Sequence, residues 1–243
     1  MNPMNLPENI HNGLGDIVKG LVQLTFPNTC PDCGDRLPGL NIPLCTACLQ
    51  RVERADPDMV RRRVEHLEMA NGVFDFVFVL WIFDKGGALQ KVHHLLKYGN
   101  RPRYGVSLGK LIGQGIPKEV INRRKFDYIT PIPLHPARFY ERGYNQSRLL
   151  ALGISQTLSV PVRPEVLQRV RATRSQTHLS RPDRWKNVHE AFVVADSGQV
   201  EGANIVLVDD VVTTGATLTA AAHALLQSGA NTIGLAALAI ARD

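Results

Sequence analysis

With 243 residues and 44% apolar content, the chain can bury a core for one large domain, or for a medium domain with a small appendage. Its net charge of +6 favours polyanionic ligands, whether phosphorylated small molecules or nucleic acid. No stretch approaches about eighteen consecutive apolar residues and no basic segment precedes an apolar run at the N-terminus, so the sequence predicts a soluble, cytoplasmic protein without membrane span or signal peptide.

Ile10, Leu14, Ile17, Val18, Leu21 and Val22 recur at helical spacing and predict a short amphipathic helix. Lys19 is its only base, which suits a docking face better than anionic lipid. All four cysteines follow in one interval, Cys30-Pro31-Asp32-Cys33 and Cys45-Thr46-Ala47-Cys48. Paired Cys-x-x-Cys knuckles place four thiolates where tetrahedral Zn²⁺ can collect them, and Gly34, Pro38, Gly39 and Pro43 suit the turns between. Two disulfides are disfavoured in a reducing cytosol, and a redox pair would not need a second copy. The expected module is a structural zinc ribbon on Cys30, Cys33, Cys45 and Cys48, with no open coordination site for catalysis. Leu49 to Ala70 is charged and reads as a connector with a helix after Pro57. Arg61 to Arg63 can touch nucleic acid, although a solvated helix face partly neutralised by Glu65 and Glu68 is the favoured account. The expected division is an N-terminal unit, 1–70, and a main domain, 71–243.

Val73 to Phe83 is β-prone and long enough for one or two strands. Leu89, Val92, Leu95 and Leu96 then predict a helix ending near Tyr98-Gly99. His93 and His94 lie on it without a partner at metal-ligand spacing, so packing or surface roles are expected. A further helix is predicted over Gly105 to Ile116. Asp127 to Leu134 reads as a strand emptying into a proline-punctuated loop, followed by His135 to Gln146, a basic segment where ligands of parallel sheets bind. Arg138 and Arg142 suit a pyrophosphate, which a planar guanidinium grips bidentately. A helix through Leu149 and Leu158 and a strand near Val166 precede Arg169 to Asn187, which carries six bases against one acid. That segment reads as a lid over a polyphosphate or as a nucleic-acid patch with Trp185 for stacking. Phe192 to Val194 is a short strand, and Thr232 to Ala241 closes the sheet.

Between these lies Ile205-Val206-Leu207-Val208-Asp209-Asp210-Val211-Val212-Thr213-Thr214-Gly215-Ala216-Thr217. A buried strand, two carboxylates and a hydroxyl-rich turn opening a helix over Leu218 to Gln227 make an anion site. Amides and hydroxyls from Thr213 to Thr217 can wrap a phosphate, and Gly215 lets backbone come close. Carboxylates would repel that phosphate, so Asp209 and Asp210 are expected to accept hydrogen bonds from sugar hydroxyls or to hold a hard cation such as Mg²⁺.

The thirteen positions match the phosphoribosyl pyrophosphate (PRPP) motif of type I phosphoribosyltransferases. With the cysteine knuckles, Pro131-Ile132-Pro133-Leu134, Arg142-Gly143-Tyr144-Asn145-Gln146 and Thr173 to Asn187, the chain from about Leu24 resembles the ComF family, also called the GntX type or amidophosphoribosyltransferase-like proteins. The resemblance implies an α/β type I phosphoribosyltransferase fold, a parallel sheet flanked by helices with a hood, plus a small N-terminal zinc ribbon. It implies that Asp209 and Asp210 meet the ribose hydroxyls and that Thr213, Thr214, Gly215, Ala216 and Thr217 bind the 5′-phosphate. It also implies Mg²⁺ with PRPP and an association with DNA uptake in natural transformation. The expected catalytic set is Asp209, Asp210 and Arg142, with Arg138 as a further phosphate ligand. Asp210 is either a general base or a sugar ligand, and the acceptor is not legible. Two functions stay open: a phosphoribosyltransferase using PRPP or a ribose 5-phosphate compound, or a catalytically silent adaptor that binds single-stranded DNA or competence helicase and recombination proteins.

Overall fold

The computed structural model describes residues 28–37, 39, 41–67, 70, 72–170 and 191–242. The expected N-terminal helix and nearly all of the basic segment after Arg169 lie outside them. Helix α1 (Thr46–Arg51) and helix α2 (Pro57–Glu65) precede strand β1 (Phe76–Phe83), helix α3 (Ala88–Tyr98), helix α4 (Pro102–Gly115) and helix α5 (Lys118–Arg124). Strand β2 (Tyr128–Pro131), helix α6 (Pro136–Arg142), helix α7 (Gln146–Leu158) and the hairpin β3 (Leu167–Arg169) and β4 (Phe192–Val194) follow. Strand β5 (Asn204–Val212), helix α8 (Ala216–Gln227) and strand β6 (Thr232–Ala241) complete the fold.

The main sheet has the order β1-β6-β5-β2 and every pairing is parallel. A parallel bridge from Ile129 to Val162 extends it beyond β2. This is the α/β arrangement predicted, and its physical cause is plain in β5 and β6, where Ile205 to Val208 and Ile233 to Ile240 are all buried with no polar side chain among them. Strands covered on both faces need apolar residues at every position, not alternate ones. Ile205 and Leu207 pack with α8 and with Val60 and Val64 of α2, whereas Val206 and Val208 pack with α3, α4 and α7.

Several expectations are refined. Val73 to Phe83 contains a single strand, which begins only at Phe76, and α5, which the sequence did not reveal, bridges α4 to β2. The segment expected as a basic loop after β2 folds into α6, opened by Pro136 at its first position and ended by Gly143 at φ 75°. Asn145 then caps α7, its side chain accepting from the amides of Ser147 and Arg148. The cysteine region and α2 pack into the sheet's own clusters: Cys30, Leu44 and Cys48 lie with Trp81 and Leu89. Main-chain bonds from Ala55 to Leu80 and from Ile82 to Glu53 lay the connector along β1.

Candidate functional site

The chain runs outward from β2 to the bridge at Val162 and then returns to β5 on the other side of β2. The crevice between the carboxyl ends of β2 and β5 is therefore the topological switch point, where open α/β sheets bind ligands. The sequence motifs end there. Proline-rich residues after β2 lead to Arg142, Gln146 and Ser147, and β5 delivers the acidic pair.

Asp209 and Asp210 lie within the strand, not in the turn, since β5 continues to Val212 and pairs Asp209 with Ala237 and Val211 with Ala239. Consecutive strand residues project to opposite sides, so the two carboxylates meet different partners. Ser147 Oγ donates to Asp209 at 2.8 Å, from the first turn of α7. His93 Nε2 of α3 stands 3.0 Å from Asp210, and Lys97 Nζ one turn later at 3.8 Å. Burial, reinforced by the Asp210 charge, pushes the Asp209 carboxyl up to about 7. Burial pushes Asp210 the same way, but the His93 hydrogen bond and the nearby Lys97 charge outweigh it and hold that carboxyl below its ordinary range. Two adjacent acids pushed apart in this way mark a chemical site more often than a structural one.

Arg142 closes this cluster from the end of α6. Its Nη1 donates to Gln146 Oε1 at 3.1 Å and its guanidinium lies 5.6 Å from the ring centre of Tyr98. The Arg142 Nε and Gln146 Nε2 donors are buried and have no acceptor among the described residues. Buried donors of this kind call for an acceptor beyond the described protein atoms, a role that a bound anion or water can fill. Arg138, by contrast, is solvent-exposed and ion-paired with Glu141 on its own helix at 3.0 Å.

The turn after β5 exposes Thr213 and Thr214 and enters α8 through Gly215 at φ 69°. No side chain caps this helix, so its first amides remain available to an anion. Gly215 also has a steric neighbour on the side of α2. A Cβ there would lie 2.2 Å from Leu67 Cδ1, at the end of a side chain that can turn aside, so it is the left-handed backbone that favours glycine.

The four thiols converge apart from this crevice. Their sulfur atoms lie within 4.8 Å of one another, and Cys33 and Cys45 Sγ are 3.6 Å apart. Tetrahedral sulfurs bonded to zinc at ~2.3 Å sit about 3.8 Å apart, so the donor set fits such an ion. Burial and the neighbouring thiols push the Cys48 thiol far up, which a bound dication would reverse. Arg51 Nη2 donates to Cys48 Sγ at 2.9 Å, a supporting contact of the kind that steadies metal ligands. Asp32, inside the first knuckle, binds Lys91 of α3 at 3.0 Å, which ties the cluster to the helix carrying His93 and Lys97.

A family model described as Phosphoribosyl transferase domain matches residues 145–243. Over 211 residues the chain is 33% identical to the DNA utilization protein YhgH of Salmonella typhimurium, covering 84% of this chain and 80% of that one. The chain belongs to the ComF/YhgH family. It is also 39% identical over 112 residues to Competence protein F of Haemophilus influenzae, covering 46% of this chain and 49% of that protein. The glutamine PRPP amidotransferase of B. subtilis is a looser likeness, with TM-score 0.40 and 21% identity over 58% of this chain and 30% of that one.

The residues that sequence reading missed in this ComF/YhgH family member are His93, Lys97 and Ser147. His93 and Lys97 carried one usable signal, their i, i+4 spacing, which puts both on one helix face. Nothing local tied them to a carboxylate 117 positions away. Among the described residues, no helix is long and apolar enough to cross a membrane.

Proposed function

We propose that the chain binds a phosphorylated ribose, PRPP or a ribose 5-phosphate compound, between the carboxyl ends of β2 and β5, and that it uses PRPP as a phosphoribosyltransferase. The observation that carries this reading is the division of charge across one crevice. An uncapped helix start with exposed threonines favours a phosphate, while the acidic pair next to it favours hydroxyl donors. The buried donors Arg142 Nε and Gln146 Nε2 supply a third region suited to the oxygens of a pyrophosphate.

In such a transfer the bond from ribose C1 to pyrophosphate breaks toward a cation-like sugar as a nitrogen nucleophile attacks. The protein's work is positioning and charge neutralisation. Asp210, kept ionised beside His93 and Lys97, is suited to accept from a sugar hydroxyl and poorly suited to take a proton. Asp209, near neutrality, is the better proton acceptor of the pair, which leaves Asp210 the sugar-ligand role of its two expected ones. Arg142 neutralises charge on the departing pyrophosphate, and Mg²⁺ bound with PRPP would add to that neutralisation. Arg138 is left with a surface role. Zinc on Cys30, Cys33, Cys45 and Cys48 is structural in this reading, since all four thiols are spent as ligands.

The direct test is calorimetry with PRPP and ribose 5-phosphate, followed by incubation with PRPP, Mg²⁺ and a panel of nucleobases and amines while pyrophosphate is measured. Binding with pyrophosphate release supports a transferase, and binding without release supports a silent ligand sensor. Absence of binding to either ligand would end the reading.

A second function, handling single-stranded DNA in transformation, is favoured by a specific surface. On α6, Tyr140 is 86% and Phe139 44% exposed beside Arg138, a pairing of aromatic faces with positive charge that suits unpaired bases. The names of the relatives, DNA utilization protein and Competence protein F, point the same way. Tyr140→Ala together with Arg138→Gln should then weaken oligonucleotide binding and lower its salt dependence. An unchanged salt slope would count against this surface.

A further inference from the structure

The arginine run of α2 is not a uniform solvated face. Met59, Arg62, Arg63 and His66 follow the i, i+3, i+4, i+7 spacing of one helical stripe, and this stripe faces the turn after β5. Arg62, Arg63 and His66 on one side and Thr213 and Thr214 on the other line a cavity of about 550 Å³. No acidic residue lines it among the described residues. Arg61 and Glu65, on the other flank of the helix, face a separate cavity against Phe74 and Arg124. The helix is held firmly in this orientation: Val60 and Val64 sit in the core, Asp56 accepts from the Met59 amide at 2.8 Å, and Leu67 rests on Gly215.

We infer that Arg62 and Arg63 of α2 form a second wall of the phosphate site proposed at this turn, adding positive charge to the amide and hydroxyl donors around Thr213 and Thr214. The ligand class is a phosphomonoester dianion, whose charge two guanidinium groups match and whose oxygens they can grip bidentately. The volume falls in the range of ligand pockets, and the carboxylate pair does not line it, so the sugar extends away toward β5 while the phosphate stays between turn and helix. This inference rests on the phosphoribosyl reading for the nature of the attached sugar, but not for the phosphate itself. It makes the connector helix an arm of the ligand site, so that phosphate binding braces the segment that joins the cysteine cluster to the sheet.

The test is calorimetry of the whole protein with inorganic phosphate and with ribose 5-phosphate, comparing wild type, Arg62→Gln with Arg63→Gln, and Arg61→Gln. The last removes a charge from the same helix on the flank away from the cavity. The double variant should lose roughly tenfold or more in affinity for both probes, by a similar factor, while Arg61→Gln stays within about twofold. Lysine at positions 62 and 63 should restore part of the loss, and matching thermal melts show that the fold is unaffected. Equal behaviour of the double variant and Arg61→Gln would overturn the inference. So would a double variant that loses only the binding of an oligonucleotide lacking a terminal phosphate, which would make the stripe a nucleic-acid surface. The phosphoribosyl reading fails separately, if wild-type protein prefers ribose 5-phosphate no more than inorganic phosphate while the arginine effect persists.

Discussion

The chemistry of the site depends on two neighbouring carboxylates held in different states. Asp209, with a pKa of about 7, holds its proton more tightly in the folded chain than in the unfolded one, whose value is ~3.9. Its contribution to stability is therefore fully present below about pH 4 and is lost as pH rises toward 7. Asp210 behaves oppositely: held low by its partners, it stabilises the fold above its unfolded value and loses that contribution as pH falls. Asp209→Asn should accordingly raise stability on the order of 1–2 kcal/mol at pH 8 and less at pH 5, read from thermal melts at both values. The same variant should weaken ribose 5-phosphate more than inorganic phosphate, because a charge-assisted hydrogen bond to a hydroxyl, typically ~1.5–3 kcal/mol, is lost. His93→Ala removes the 3.0 Å contact to Asp210 and leaves a buried carboxylate held by the Val211 amide and by the more distant Lys97. A loss of about 1–3 kcal/mol in urea unfolding is expected, with His93→Gln recovering part of it.

At the level of elements, the site is placed by how closely α4 and α7 approach. A Cβ on Gly109 would lie 2.1 Å from the Leu150 carbonyl oxygen, and one on Gly153 would lie 2.0 Å from that of Val106. Backbone thus meets backbone across this crossing, and neither helix can accept a methyl group without moving. The consequence reaches Asp209, since Ser147 stands at the start of α7 and takes its position from that packing. Gly153→Ala should cost about 1–3 kcal/mol through overpacking and should also reduce ribose 5-phosphate affinity, because α7 must move off α4 and carry Ser147 with it. A variant that loses stability while binding the ligand with wild-type affinity would show that Ser147 keeps its place without the tight crossing.

On the scale of the whole molecule, the cysteine cluster is not an isolated appendage. Cys30 and Cys48 are each about 1% exposed and share a core with Trp81, while Asn28 accepts from the Tyr104 hydroxyl of α4 at 2.7 Å. Cys30→Ser should release the metal and loosen this region, as ligation and local folding share one free energy. Because Asp32 binds Lys91 on α3, the disturbance should extend to His93 and Asp210. Hydrogen exchange on wild type and variant checks this: faster exchange should appear in both the knuckles and α3, and protection of α3 at the wild-type level would show that the cluster is energetically separate.

The sequence alone determined the elements whose signal is local. Apolar runs marked β5 and β6 as strands, helical periodicity located α3, α4 and α7, and paired Cys-x-x-Cys spacing announced a metal-type cluster. The acidic pair and threonine turn were legible because strand, charge and turn are contiguous over thirteen residues. What tertiary structure decided depends on contacts between segments far apart in the chain. It brought His93 and Lys97 to Asp210, set Ser147 against Asp209, sent Arg138 to the surface, and split Arg61 from Arg62 and Arg63 on opposite flanks of α2. The physical reason is that periodicity and turn chemistry are properties of neighbouring residues. Which side chain shares a crevice, and with what charge, is fixed only when the sheet and its helices pack.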